Sequence, residues 1–491
     1  MNRAMPPTRV IAGLLLAGLC AACSSVGSNY ERPALALPAH WKSLPAADEA
    51  HWHVATPADA ALKRDWWTVF GDDVLNGLMQ RCVAGNYSLQ AALTRLDLAQ
   101  AQVAIRNAAG APQVQAGAAV SRTRISADRP LANYAVANQS TVQNDFKPTL
   151  SVSYEVDWLG RIRRDVESAR AGVEQTQADI ENLRLLLTAQ LASSYFQLRQ
   201  ADEELRVVQA NIELQQKVLD LLIKRHQLGA ASQAELDQQQ ALISTSRTQL
   251  DLLKAQRAQQ ENAIATLTGT PAAEFTLDAT NQATHLPEVP VGLPSTLLER
   301  RPDVASAERA MAAANAQIGV AQAARYPNLM LAPNFGGFES NTLGNLISTP
   351  ALVWSLGIGS TMSLFDGGRI DASVNQAKAS YSGAVASYRQ AVLTAVEETQ
   401  TALGNLQHAA QAVRDQDEAV RHQDRAFQIS LLRYREGLDN ALQLSVSQQN
   451  LLAAQRSQTQ VHGSQLQYSV ALIKALGGGW TGPARGDRMA Q

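Results

Sequence analysis

The sequence predicts a mainly α-helical chain with a small β part, made of two copies of one elongated unit. Three observations predict it. First, residues 160–269 align without a gap on residues 368–477: Gly160-Arg161-Ile162 falls on Gly368-Arg369-Ile370, Leu198 on Leu406, Arg225 and Gly229 on Arg433 and Gly437, and Gly269 on Gly477. Second, long proline-free stretches carry apolar residues at helical spacing. Third, ahead of each long stretch the period switches to strict alternation, the signature of a strand with two unlike faces. A shifted alignment places Ala101-Gln102 on Ala316-Gln317 and Pro112 on Pro327, so each copy also takes in a preceding helix and the segment after a proline. One such half-unit cannot bury its apolar surface alone, and the repeat is therefore the first thing to read.

At the N-terminus, Arg3 and Arg9 precede an apolar run from Val10 to Leu19, and small residues follow up to Cys23. That order is the order of an export signal, and the run is too short to span a bilayer. Residues 1–22 are expected to be removed. The run Leu19-Cys20-Ala21-Ala22-Cys23 resembles a bacterial lipobox, with Cys20 where an aliphatic residue is usual, and makes Cys23 the expected lipid attachment site. Ser24 after it fits delivery to the outer membrane. Acyl chains add membrane affinity of roughly 0.8 kcal/mol per buried CH2. The third cysteine, Cys82, stands by itself in a predicted helix, so disulfides are not the framework.

Composition narrows the function classes. Lys plus Arg (42) nearly balances Asp plus Glu (44) in 491 residues, which removes any global attraction to nucleic acid. Aromatics are only 5%, and Ala, Gln, Leu and Ser dominate the central segments, a mixture suited to close-packed helices.

From Arg161 to Thr268 there is no proline, and the glycines are Gly172 and Gly229. Leu205, Val208, Ile212, Leu219 and Leu222 form one stripe, and Leu214, Val218, Leu221 and Leu228 a second beside it. Two stripes imply two neighbours per helix, as in a ring. If continuous, 163–228 extends about 100 Å at 1.5 Å per residue. Gly229 and Gly437 interrupt both copies at matching points, and Ser232 and Asn440 are placed to cap the returning helices, roughly 233–267 and 441–476. Leu236, Ile243 and Leu250 follow a heptad spacing there. Each copy is thus a helical hairpin.

The strands are expected over Thr149 to Asp157, where Leu150, Val152, Tyr154 and Val156 share a face, and over Trp354 to Leu364 in the second copy. Their mates are expected near 113–124 and 328–338, just after the two prolines. Such lengths match tilted membrane strands. Four strands leave two open edges, which lipid does not tolerate, and closed barrels need about eight or more. Several copies of the chain must therefore share one barrel.

Short segments across the chain resemble the outer-membrane factor family, the TolC-like and OprM-like exit ducts, and especially its NodT-type lipoproteins. They are Val26-Gly27-Ser28-Asn29-Tyr30 with Pro33, Trp66-Trp67 with Phe70, Leu298-Glu299-Arg300-Arg301-Pro302-Asp303-Val304, Ala316-Gln317-Ile318-Gly319, Tyr326-Pro327, Arg433-Tyr434-Arg435-Glu436-Gly437, and Ala475-Leu476-Gly477-Gly478-Gly479-Trp480. The resemblance implies a homotrimer whose twelve strands close one β-barrel and whose long hairpins form a twelve-helix α-barrel tunnel. It implies a periplasmic adaptor (membrane fusion) protein, an inner-membrane transporter expected to be of the RND type, contact with outer-membrane lipid, and no cofactor. The chain then divides into a signal (1–22), a lipidated segment and collar (23–70), a first repeat (71–269, strand pair 113–157, hairpin 161–268), an equatorial linker (270–294), a second repeat (295–477, strand pair 328–365, hairpin 369–476) and a tail (478–491).

By the same resemblance the hairpin ends are gate and docking surface. Tyr434 and Arg435 match a pair that relatives bond to acids of the other hairpin, for which Glu235 and Asp237 are the nearest candidates. Many relatives carry an aspartate ring where this chain has Val446, beside Leu442, so the constriction is expected to be apolar, with Asp439 as the nearest charge. The docking surface is expected at Gln227, Leu228, Gly229, Ser232, Glu436, Gly437 and Asn440. No catalytic set, P-loop or metal set accompanies these features: His51-x-His53 has no completing ligands nearby, so transport energy has to come from a partner. Rival readings are a duct for type I protein secretion, a periplasmic coiled-coil scaffolding lipoprotein, and an enzyme.

Overall fold

The structure, a computed structural model, describes residues 25–33, 41–42, 65–128, 140–280, 286–287, 301–331 and 336–478. The signal 1–22, Cys23, His51, His53, residues 298–300 of the second-repeat motif and Trp480 lie outside the described residues.

Among the described residues there are seven α-helices: α1 (Asp73–Gly85), α2 (Tyr87–Ala108), α3 (Arg161–Gln227), α4 (Gln233–Leu267), α5 (Pro302–Ala323), α6 (Arg369–Arg435) and α7 (Ala441–Ala475). The hairpin α3–α4 and the hairpin α6–α7 have the same element lengths, 67 and 35 residues in each copy. Sixty-seven residues at 1.5 Å make a rod of about 100 Å. No helix among the described residues is long and apolar enough to cross a membrane.

The strands are β1 (Gln113–Ile125), β2 (Thr141–Glu155), β3 (Asn328–Leu331), β4 (Gly337–Phe338), β5 (Leu352–Val353) and β6 (Ile358–Thr361). β1 and β2 form an antiparallel ladder from Gln113↔Ser153 to Ile125↔Thr141. The other side of β2 meets β3 near Tyr154 and β4 at Thr149, and these pair in turn with β6 and β5. Four paths therefore run β1, β2, β3 with β4, and β5 with β6, and β2 joins the two repeats. The first copy's strands extend further than the alternation implied. In the second copy, the continuous strand expected over Trp354 to Leu364 is instead the two short pieces β5 and β6. The gap between them, 354–357, contains Gly357, which adds no cross-strand packing.

Two compact units emerge, each drawing on both repeats. The first comprises Met1–Pro33, Leu96–Thr176 and Glu308–Ser387 and holds the sheet. In it the segment from Val26 to Tyr30 is strapped down. Arg164 donates to the carbonyls of Val26 (3.2 Å) and Gly27 (3.1 Å) and to Asn29 Oδ1 (3.0 Å), and Tyr30 Oη donates to Glu308 Oε1 at 2.5 Å. Gly27 has φ +93°, and a Cβ on Gly319 of α5 would lie 2.7 Å from the Val26 carbonyl, so both glycines of these motifs serve close backbone approach.

The second unit comprises Ala34–Arg95, Gln177–Ala307 and Tyr388–Gln491. Its largest core gathers Trp66, Phe70, Leu75, Tyr195, Phe196 and Leu476, among others. Phe70 and Phe196 sit 4.9 Å apart between ring centres. Asp72 caps α1 by accepting from Leu75 N (3.0 Å) and also accepts from Tyr195 Oη at 2.6 Å; burial first, and this bond after it, raise the phenol pKa. Cys82 is buried here, and burial pushes its thiol up to about 11, which makes it an inert packing group. Arg301, only 5% exposed, explains its motif: it forks onto Asp303, reaches Glu398 on α6 at 2.7 Å and donates to the Ala475 carbonyl that ends α7 at 3.0 Å.

Candidate functional site: the hairpin tips

Both tips lie in the second unit and are built alike. Where α3 ends, Gly229 takes φ +74°, its N–H donates to His226 O (2.9 Å), and Ala230 N donates to Arg225 O (2.8 Å). Where α6 ends, Gly437 takes φ +75°, its N–H donates to Tyr434 O (3.1 Å), and Leu438 N donates to Arg433 O (2.8 Å). This is the left-handed glycine cap that closes a helix on its own last carbonyls, and only glycine adopts the φ without strain. The returning helices are capped by side chains. Ser232 and Glu235 form a reciprocal capping box at α4, and Asn440 Oδ1 accepts from Gln443 N (2.9 Å) at α7.

The two tips diverge in what their matched side chains do. Arg433 turns back onto its own tip and meets Asp439 at 3.4 Å. Its counterpart Arg225 has Ala231 in place of that aspartate and crosses to the other hairpin. Its Nη1 donates to the Tyr434 carbonyl at 3.0 Å and its guanidinium lies 4.7 Å from the Tyr434 ring centre. Tyr434 is 3% exposed, in a cluster with Val218, Leu222, Phe427, Ala441 and Leu444. Burial raises the phenol pKa, opposed by the Arg225 charge and reinforced by Glu235.

The expected acid partners of the Tyr434–Arg435 pair are occupied at home within one chain. Glu235 Oε2 accepts from Ser232 N at 2.7 Å, and Asp237 Oδ1 accepts from Gln233 Nε2 at 3.0 Å. Arg435 is exposed and has no hydrogen-bond or ion-pair partner among the described residues. Leu442 and Val446, one turn apart on α7, are 55% and 41% exposed, and Leu228 at the first tip is 83% exposed. Gln227, Glu436 and Asn440 are exposed as well. Sequence reasoning missed Arg225 as the partner of Tyr434. The available signal was the repeat register, which matched it to Arg433 while matching Ala231 to Asp439.

Deeper between the hairpins, Gln448 is 1% exposed with neither amide atom hydrogen-bonded among the described residues, and the side-chain oxygens of Asn211, Gln215 and Gln239 are unpaired too. No group of three or more His, Cys, Asp or Glu among the described residues is placed to hold a metal.

The sequence model of a family described as outer membrane efflux protein matches residues 78–270 and 293–478, once per repeat. The chain belongs to the outer membrane efflux protein family. It is 34% identical over 447 residues to the pyoverdine export outer membrane protein OpmQ of Pseudomonas putida, covering 91% of this chain and 93% of that one. It is 30% identical to the antibiotic efflux pump outer membrane protein ArpC of Pseudomonas putida, covering 93% of each. Among solved structures, the outer-membrane channel OprN superposes with a TM-score of 0.84 at 29% identity, over 92% of this chain and 99% of that one. As an outer membrane efflux protein the chain is an outer-membrane exit duct with a periplasmic extension, and its helical tunnel and small β part are those of the family's channels.

Proposed function

We propose that this outer membrane efflux protein works as a passive trimeric duct, gated at its hairpin tips, for small molecules handed over by an adaptor and an inner-membrane pump. The observation that carries the reading is the sheet: β1 at one side and β5 with β6 at the other each bond on one side only, while one face of β1 and β2 is apolar. Unpaired edges in hydrocarbon leave backbone groups unsatisfied at several kcal/mol each, so three copies, four paths each, close twelve strands edge to edge. The same operation closes the long hairpins into a twelve-helix tunnel.

Cys23 anchors the chain in the inner leaflet through its lipid, and the strapped Val26–Tyr30 segment holds that anchor against the body. The gate comprises Tyr434 with Arg225 inside each chain, Arg435 toward a neighbouring subunit's acids, and the apolar Leu442 and Val446. Gln227 to Ser232 and Glu436 to Asn440 form the adaptor-docking surface, and the pump is of the RND type. Relatives named for pyoverdine export and for antibiotic efflux support a small-molecule cargo over a secreted polypeptide.

The test is membrane fractionation with heat-modifiable electrophoresis, followed by conductance in planar bilayers. A urea-resistant trimer that needs detergent for release and conducts weakly until the tips are perturbed is expected. A monomer in detergent, or release without it, overturns the proposal and returns the scaffold reading.

A further inference from the structure

We infer that the outward face of β1 carries a lipid-headgroup site, in which Arg122 and Arg124 bind the phosphates of a phosphorylated glycolipid in the outer leaflet. The inference rests on the duct reading above and extends it to a second, non-covalent lipid contact. Along β1, Val114, Ala116, Ala118 and Val120 share a face, and opposite them on β2 stand Val152, Leu150, Pro148 and Phe146. The other face pairs Gln115 with Ser151, Gly117 with Thr149 and Ser121 with Asp145, which is a lumen's composition.

The apolar face has a measurable end. The helices attach at Ala108 and Arg161, so the opposite end, toward Ile125 and Thr141, is the exterior. From Val156 to Phe146 are ten residue steps of about 3.4 Å, which at a tilt of about 40° span roughly 26 Å. An outer-membrane barrel's apolar band is about 25 Å tall. Val120 and Phe146 therefore mark its outer limit, and the next two outward pairs are Arg122 with Asn144 and Arg124 with Val142. Both arginines are thus at headgroup depth, where a side chain on the outer wall of a barrel meets lipid.

Among the described residues no acid, Asp128 of the adjoining turn included, is bonded to either arginine. Both are exposed; among the described residues Arg122 has no hydrogen-bond or ion-pair partner, and Arg124 donates to Ser140 Oγ at 3.3 Å. Asp145 belongs to the lumen face, and Glu339 is held by Lys147 at 2.9 Å. The segment 340–350, which trimer closure brings beside β1, contains no charged residue. Two guanidinium forks, two residues apart on one face, match the geometry and charge of phosphate groups and tolerate partial desolvation better than ammonium groups.

The experiment uses full-length trimers in detergent and native mass spectrometry. The probes are bis-phosphorylated lipid A and the same lipid A after enzymatic removal of its phosphates. Wild-type protein is expected to bind the phosphorylated form at least about tenfold tighter, and Arg122→Gln/Arg124→Gln to bring the two forms within about twofold. Lys147→Gln, on the lumen face, is expected to keep the wild-type preference. Equal binding of both forms by the wild type, a preference that survives in the double variant, or its loss in Lys147→Gln overturns the inference while leaving a conducting trimer, and hence the duct reading, intact. A chain that fails to trimerise in detergent overturns both.

Discussion

Replacing Arg225 should open the tip, and the size of the effect follows from its two contacts. A partly exposed cation–π contact contributes about 1 kcal/mol, and a hydrogen bond from a charged donor to a carbonyl about 1.5 kcal/mol. Arg225→Met keeps the helix-forming stem and removes both, so each chain's closed tip should lose on the order of 2.5 kcal/mol, roughly 70-fold in its closed-to-open ratio. The clean readout is a double-mutant cycle with Tyr434→Leu, scored by planar-bilayer conductance of reconstituted trimers. Arg225→Met and Tyr434→Leu should each raise the open fraction, and the double variant should fall short of their sum by about 1 kcal/mol, the shared ring contact, because the hydrogen bond to the Tyr434 backbone carbonyl survives Tyr434→Leu. Arg225→Lys should recover only part of the closure, since an ammonium lacks the flat fork that lies on the ring. Strict additivity of the two single changes, or wild-type conductance in Arg225→Met, would refute the reasoning.

Four further outcomes are expected. Tyr434 has a raised pKa in the closed tip, so between the ordinary tyrosine value of about 10 and its folded value the open form releases a proton that the closed form keeps; closure should weaken as pH rises past about 10, and Tyr434→Phe should flatten that slope in tip-local hydrogen exchange. Arg435→Ala should loosen the closed pore of the trimer, read as conductance, yet leave amide exchange of a dissociated chain's tips unaltered, because Arg435 is exposed and unbonded within one chain and the proposed gate pairs it with a neighbour. Arg301→Ala leaves Glu398 and the Ala475 carbonyl without their shared cation and should cost about 3 kcal/mol in denaturant unfolding. Gln448→Leu replaces an unpaired buried amide with an apolar group of similar size and should raise the melting temperature, against the usual direction for core changes.

Much of the fold was legible because it is periodic. The hairpin ends could be placed almost to the residue, since a glycine that must take positive φ and a cap residue three positions later leave the chain few alternatives at Gly229 with Ser232 and at Gly437 with Asn440. The first strand pair was legible for the same reason, and its ladder runs back to Thr141 because Pro148 and Phe146 stay on the apolar face and Lys147 and Asp145 on the other. What the sequence concealed depends on contacts between distant segments. The function of Arg301 lies in a carbonyl 174 residues away. Arg225 was hidden because a helix-end arginine looks the same whether it faces water or a ring.

The divergence at the tips explains how a duplicated chain ends in two unlike tips. Both copies inherit the same turn, the same glycine geometry and an arginine at the same place, so the scaffold alone gives two equivalent ends. One substitution pair separates them. Where the second copy has Asp439, its Arg433 is captured locally, an exposed pair worth little to the closed state. Where the first copy has Ala231, Arg225 lacks the acid that holds Arg433 and spans to Tyr434, whose own counterpart is the exposed His226, bonded to the Ala231 carbonyl at 2.8 Å. The cross-hairpin contact can therefore form in one direction only. Introducing the acid, Ala231→Asp, should pull Arg225 home and release Tyr434 without deleting either partner. That variant should conduct like Arg225→Met while unfolding globally at the wild-type temperature, and a pore that stays closed would mean that packing around Tyr434, and not the arginine, holds the tip.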